Sequence, residues 1–149
     1  MKPPDNLLEQ IRLAFPAKER DIRTVSPLKL AYLGDAVFEI IVRTYVFDSI
    51  GGPPKNLHRK TSSLVNARSQ AAMADVIRPH LTEEEESFFR RGRNAKPSTV
   101  AKNADIADYH TATGLEALYG YLYLTGRMER AIELIQLAYK TFANGEQNE

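Results

Sequence analysis

Two isolated carboxylates are the side chains of this sequence best suited to chemistry. Asp35 is the only Asp, Glu, Lys or Arg in residues 30–38, and Glu116 is the only one in residues 109–125; both stretches are otherwise mostly apolar. An ionised carboxylate in apolar surroundings costs several kcal/mol unless something compensates its charge. Solvent, a helix cap or a buried base could compensate either acid alone, whereas a shared divalent cation would compensate both. Because carboxylate ligands without histidine or cysteine suit Mg²⁺ or Mn²⁺, the pair predicts a magnesium-type site.

Other kinds of reactive site find little support in the residues. The chain has no cysteine, and His58, His80 and His110 lie far apart without the paired spacing of a zinc site. No serine stands in a GxSxG setting, and neither GxxxxGK[ST] nor GxGxxG is present, so nucleotide binding is not expected. Glu39 lies four residues after Asp35 and therefore shares its helical face. It could be a further metal ligand, a group that supports the ligands, or a surface residue.

The bulk composition predicts one ordinary soluble domain. The chain has 149 residues, of which 43% are hydrophobic and 26% charged, and a net charge of only +1. No stretch approaches the roughly 20 apolar residues that a membrane span needs, and the N-terminus lacks the apolar run of a signal peptide, so a cytoplasmic protein is expected. Charge is nevertheless segregated along the chain, because two segments contain bases and no acids, residues 49–74 and 87–104.

The elements that position the two acids are predicted to be helices throughout. Apolar spacing indicates helices over residues 6–15, 27–49, 57–65, 67–77, 82–91, 103–124 and 127–142. Residues 26–142 form the expected core of a single domain, with a polar, frayed tail over residues 143–149 and a basic loop over residues 92–103. Two apolar faces are predicted, one on the second helix (Leu30, Leu33, Val37, Ile40, Ile41 and Tyr45) and one on the last (Met128, Ile132, Ile135 and Ala138).

Helix-end signals refine these boundaries. Ser26 is expected to cap the second helix through its hydroxyl, with Pro27 at the first helical position. Thr82 and Glu85 form a capping-box pattern, and Gly126 is placed to end a helix. Glycines beside the acids, Gly34, Gly114 and Gly120, suit a close helix–helix approach that would bring the acids together. Ordinary tight packing without a metal predicts the same glycines.

Several motifs in order resemble a known nuclease family. Residues 30–37, LAYLGDAV, resemble the signature motif of ribonuclease III nuclease domains, and residues 116–124, EALYGYLYL, resemble the second acidic helix of that family. The chain is more narrowly similar to Mini-ribonuclease III, the compact bacterial branch that lacks a double-stranded-RNA-binding domain. That similarity rests on residues 58–60, 67–71, 91–96 and 113–118, and it extends from about residue 26 to residue 142.

The resemblance implies an all-α, homodimeric ribonuclease III endonuclease-domain bundle that hydrolyses double-stranded RNA with Mg²⁺, or with Mn²⁺ in its place. Asp35 and Glu116 would be the catalytic metal ligands, and each subunit would cut one strand to leave a short 3′ overhang. The implied substrate is precursor 23S ribosomal RNA, with a large-subunit ribosomal protein as a possible assisting partner and no membrane role.

The chain departs from the usual family pattern at two acids. Ala31 stands where ordinary ribonuclease III enzymes have a glutamate, and Thr113 where they have an aspartate, a gap that Mini-ribonuclease III shares. The number of bound metals is therefore left open, and Asp105 and Asp108 are candidate substitutes for the missing acids.

The basic segments supply the expected RNA contacts, since no separate RNA-binding domain is predicted. The primary candidates for gripping the RNA backbone are Arg90, Arg91, Arg93 and Lys96, and the secondary ones are Arg59, Lys60 and Lys102. Two alternatives stand beside the nuclease. One is a nuclease-fold protein that binds structured RNA without cutting it, and the other is a helical protein-interaction module with no RNA role.

Overall fold

Seven α-helices and two short 3-10 turns account for the regular structure of the described residues, 6–95 and 105–147, in a computed structural model. No strand occurs in these two ranges, which confirms the all-α prediction. The 3-10 turns cover Ile22–Thr24 and Arg78–His80. The helices are α1 (Leu7–Ala14), α2 (Pro27–Ser49), α3 (Pro54–Val65), α4 (Ala67–Ile77), α5 (Glu83–Asn94), α6 (Ile106–Leu124) and α7 (Met128–Gln147).

Local end signals explain most of the helix boundaries. The capping box of α5 is present: the Glu85 N–H donates to the Thr82 hydroxyl at 3.1 Å, and the Thr82 N–H donates to the Glu85 carboxylate at 2.9 Å. Gly126 ends α6 with a φ of +73°, a conformation that favours glycine. The expected cap of α2 is wrong in one detail, because the Ser26 hydroxyl makes no capping hydrogen bond and only Pro27 marks the start.

The central element is α6, which packs against α2, α4, α5 and α7. Its buried residues face every direction around the helix and include Leu115, Leu118, Tyr119 and Leu122. A helix covered on all sides needs no polar face, which explains the nearly uninterrupted apolar stretch around Glu116. None of the helices in residues 6–95 and 105–147 is both long enough and apolar enough to cross a membrane.

The predicted apolar faces are partly wrong. Ile40 and Tyr45 of α2 are 58% and 50% exposed, and Ile132 of α7 is 47% exposed. The buried face of α2 instead follows a spacing of three and four residues through Leu30, Ala31, Gly34, Val37, Phe38, Val42 and Val46. Apolar residues of α2 therefore occur on two faces, and the residues that the structure describes cover only one of them.

Several boundaries differ from the sequence-based prediction: α3 begins three residues earlier than expected, at Pro54, and α6 begins three residues later, at Ile106. The expected basic loop begins later than residue 92, since α5 continues to Asn94. Gly92 lies inside this helix, where it allows close packing against α6. A Cβ at this position would stand 2.6 Å from the Ala117 Cβ and 3.0 Å from the Gly114 Cα. At the other end of the chain, α7 extends to Gln147, beyond the expected start of a frayed tail.

Candidate active site

A backbone crossing between α2 and α6 brings the two acids together. A Cβ on Gly34 would overlap the backbone carbonyl of Glu116 and stand 2.7 Å from the Gly120 N, and a Cβ on Gly120 would overlap the carbonyl of Leu30. Only glycine permits this approach at both points, because any side chain would force the helices apart. Since Asp35 directly follows Gly34, the crossing places its side chain beside Glu116.

The two carboxyl groups lie within hydrogen-bonding reach of one another. Burial, followed by the hydrogen bond and the negative charge of Asp35, raises the pKa of Glu116 from 4.5 to about 8. Within residues 6–95 and 105–145, no Lys, Arg or His forms an ion pair with either acid. The pair therefore concentrates negative charge that this part of the protein leaves uncompensated.

One sequence-based expectation about this pair is wrong. Asp35 is exposed, although its apolar neighbours in sequence suggested burial, whereas Glu116 is half-buried. The site consequently opens to solvent on the side of Asp35 and is closed by the core on the side of Glu116. The acids are therefore accessible from solvent on the side of Asp35.

The donor set fits a hard divalent cation. Mg²⁺ keeps several water ligands and is commonly held by one or two carboxylates, so two acids beside solvent suffice for it. Among the residues that the structure describes, no group of three or more His, Asp or Glu side chains is placed to hold a metal. Asp35 and Glu116 thus suit a partly hydrated Mg²⁺ or Mn²⁺ and do not form the closed site that zinc prefers.

The positions of the two missing family acids are filled by buried small residues. Ala31 lies one turn before Asp35 and is 8% exposed, and Thr113 lies one turn before Glu116 and is 6% exposed. The Thr113 hydroxyl donates to the Tyr109 carbonyl at 2.9 Å, so it is engaged by its own helix. Neither residue adds an acidic ligand to the pair.

The other candidate acids do not form a group of three with the pair among the described residues. Arg43 donates to the Glu39 carboxylate at 2.8 Å, an i,i+4 ion pair on the surface of α2. Asp105 caps α6 by accepting from the Asp108 N–H at 3.1 Å. Asp108 lies eight residues before Glu116, about 12 Å along a helix, so neither Asp105 nor Asp108 replaces a missing ligand.

The arginines predicted to bind RNA lie on the C-terminal turns of α5. Arg90 is exposed, whereas Arg91 donates to the Val25 carbonyl at 3.2 Å and lies over the Phe88 ring at 5.2 Å. Arg93 lies over the Phe89 ring at 5.7 Å. Arg91 thereby also anchors the segment that leads into α2. Lys96 and Lys102 lie outside the described residues.

The secondary candidates lie on a helix without acids. Arg59 and Lys60 of α3 are both exposed, and neither forms an ion pair within the described part of the chain. Lys55, on the same helix, and Arg68, on the first turn of α4, are exposed as well. These four side chains are therefore available to a polyanion.

Comparison with known proteins agrees with this geometry. The ribonuclease III domain model matches residues 28–127, a range that contains both acids. A Mini-ribonuclease 3 from Clostridium tetani is 44% identical over 88% of this chain and 87% of its own length. A Mini-ribonuclease 3 from Enterococcus faecalis is 46% identical over 87% of this chain and 98% of its own. A crystal structure of a protein from Fusobacterium nucleatum superimposes with a TM-score of 0.74 at 32% identity, covering 83% of this chain and 98% of that one.

Proposed function

The chain belongs to the Mini-ribonuclease 3 family of ribonuclease III domain nucleases, and from this premise we propose that it is a Mg²⁺-dependent endoribonuclease of double-stranded RNA. The observation that carries the proposal is the crossing of α2 and α6 that brings Asp35 beside Glu116, two acids that form no ion pair with a base in the described residues. A protein that only bound RNA would gain nothing from placing uncompensated negative charge at a solvent-open site, because phosphates would be repelled.

Each acid has a defined task in this proposal. Asp35 and Glu116 hold the ion, and Glu116 gives up its proton when the ion binds. The chemistry that Mg²⁺ supplies here is polarisation of the scissile phosphate, activation of a water and stabilisation of charge on the leaving 3′ oxygen. The exposure of Asp35 lets the phosphate approach, and the core behind Glu116 fixes the position of that ligand.

Double-stranded RNA is the substrate that the basic side chains suit best. A-form RNA is recognised mainly through phosphates and 2′-hydroxyls, with little reading of base edges. The exposed cations Arg59 and Lys60 on α3 and Arg90 on α5 can contact such a backbone. We assign them the RNA grip together with the half-buried Arg91 and Arg93 and with Lys96 and Lys102. Precursor 23S ribosomal RNA in the cytoplasm is the physiological substrate that we propose, with a large-subunit ribosomal protein assisting.

A homodimer is part of the same proposal. Tyr32, Ile40 and Phe47 of α2 are 82%, 58% and 73% exposed, an amount of apolar surface that is unusual for a helix facing only water. A second copy that covers this face of α2 would place two acid pairs in one particle, so that each subunit cuts one strand of a duplex.

The test is cleavage of a long, perfectly paired RNA with Mg²⁺ by the wild type and by Asp35→Asn and Glu116→Gln. We expect cutting by the wild type and a loss of at least about a hundredfold in both variants. Glu39→Gln is the matched control, because Glu39 lies one turn from Asp35 but pairs with Arg43. A wild type that leaves the duplex intact with both Mg²⁺ and Mn²⁺ would refute the proposal.

A non-cutting RNA-binding protein is the second candidate, and the small residues at Ala31 and Thr113 favour it. The same assay separates the two candidates, because a pure binder retains the duplex without cleaving it and is indifferent to Asp35→Asn.

A further inference from the structure

A buried tyrosine lies directly behind the acid pair. Tyr119 follows Glu116 by one turn of α6 and is fully buried. Its ring stacks on Phe38 of α2 with centroids 5.2 Å apart, and Phe38 in turn lies one turn after Asp35. The ring stack thus joins the same two helices that carry the acids, on the side closed by the core.

The hydroxyl of Tyr119 has no hydrogen-bond partner, and neither has the hydroxyl of Tyr139 on α7. Burial raises the pKa of Tyr119, and the neighbouring Tyr139 and Glu116 raise it further, so the three groups are electrostatic neighbours. Buried hydroxyls without partners are rare, because each forfeits the hydrogen bonds that it made to water. Phenylalanine would fill nearly the same volume without that penalty, so the two oxygens call for a role beyond packing.

The chemistry of a ligating carboxylate suggests what that role is. A carboxylate that binds a cation is ionised and only accepts hydrogen bonds, and its neighbour Asp35 is an acceptor too. Asp35 is the hydrogen-bonding neighbour that raises the pKa of Glu116, and no hydrogen bond from a donor to the Glu116 carboxyl is found among the described residues. A phenol is a donor, which is the partner that a half-buried carboxylate lacks.

We propose that Tyr119 is a positioning residue for Glu116, whose buried hydroxyl donates to the ionised carboxylate from the core side while that carboxylate holds the cation. Tyr139 supports it, because its own hydroxyl can donate to the Tyr119 oxygen and polarise the donor. This inference rests on the proposed function, since it concerns the metal-bound form of the acid pair.

The experiment is calorimetric titration of Mg²⁺ into the metal-free full chain, comparing the wild type with Tyr119→Phe and Tyr139→Phe. Loss of a hydrogen bond to a charged group should weaken Mg²⁺ binding about tenfold or more in Tyr119→Phe, and less in Tyr139→Phe. Tyr121→Phe is the matched control, since that hydroxyl lies two residues further along α6 and accepts from Arg127. Its Mg²⁺ affinity should equal that of the wild type.

Thermal unfolding of the same metal-free proteins separates positioning from packing. Tyr119→Phe should be as stable as the wild type or more stable, because the variant removes an unpartnered hydroxyl. Tyr121→Phe should be less stable, because it breaks an existing hydrogen bond. Weaker Mg²⁺ binding in a variant with undiminished stability supports the positioning role.

Three outcomes overturn the inference. If Tyr119→Phe binds Mg²⁺ with wild-type affinity while Asp35→Asn abolishes binding, the inference is wrong and the proposed function still stands. If Tyr119→Phe fails to fold, the inference is wrong when a stable Tyr139→Phe binds Mg²⁺ with wild-type affinity. A wild type that neither binds Mg²⁺ nor cuts duplex RNA removes the proposed function, and the inference with it.

Discussion

Replacing Glu116 by glutamine should make the metal-free protein more stable at neutral pH while abolishing its response to metal. The pKa of Glu116 is raised from an ordinary value of 4.5 to about 8, first by burial and then by Asp35. The folded state therefore binds this proton more tightly than the unfolded state does. The stability that the folded protein gains from protonating Glu116 is fully present below about pH 4.5 and is lost as the pH rises to about 8.

The size of the effect follows from the two pKa values. Each pH unit between them costs the wild type about 1.4 kcal/mol of unfolding free energy, which amounts to roughly 3 kcal/mol at pH 7. Water at the half-buried carboxyl screens the charge and reduces the expected loss to roughly 2 kcal/mol. Glutamine carries no charge, so the stability of Glu116→Gln relative to the wild type should grow from pH 5 to pH 8 and then level off.

Urea unfolding with a chelator at pH 5, 6, 7 and 8, at one protein concentration, measures this difference directly. Addition of Mg²⁺ should stabilise the wild type and not Glu116→Gln, because the ion binds only the folded state that retains the ligand. Glu39→Gln, which alters a surface ion pair, should show no pH-dependent gain. A difference between Glu116→Gln and the wild type that stays constant from pH 5 to pH 8 would refute the account of this carboxyl.

Three further predictions concern packing, the fold and RNA. Gly34→Ala should unfold the protein or cost several kcal/mol in urea unfolding, because its Cβ would overlap the backbone of α6, whereas Gly51→Ala meets nothing within 4 Å and should be tolerated. Glu85→Ala should cost about 3 kcal/mol by the same measurement, because it removes the buried carboxylate that pairs with Arg130 at 2.9 Å and accepts from the Thr82 N–H; unchanged stability would contradict that ion pair. Arg93→Ala should weaken duplex RNA binding in a gel-shift titration and reduce its salt dependence with little loss of folding stability, and unchanged affinity would count against a role for this residue.

The sequence predicts helices well where their signals are local. The bounds of α2 and α4 agree with the prediction because Pro27, the glycine–proline run after Ser49 and the breaks around residues 66 and 78 all act within a few residues. The acid pair was also predictable, since two lone carboxylates in apolar helices share one simple explanation.

The remaining features depend on contacts that the sequence does not record. Periodicity identifies apolar faces but not which of two faces the chain covers, so the exposure of Asp35 and Ile40 was missed. Gly92 suggested a helix end because its contact with α6 is tertiary. The bond from Arg91 to Val25 spans 66 residues, and no local pattern indicates it. The only feature of the sequence that could have indicated a role for Tyr119 is its position one helical turn after Glu116.

The central claim is that Asp35 and Glu116 together hold the divalent ion on which RNA cleavage depends. The most direct test is a crystal structure of the full chain soaked with Mn²⁺, with the ion located by its anomalous scattering. The account predicts one peak between the two carboxylates, within about 2.0–2.3 Å of an oxygen of each, and no such peak in Asp35→Asn. A fully active enzyme whose ion lies elsewhere, or contacts neither carboxylate, would contradict it.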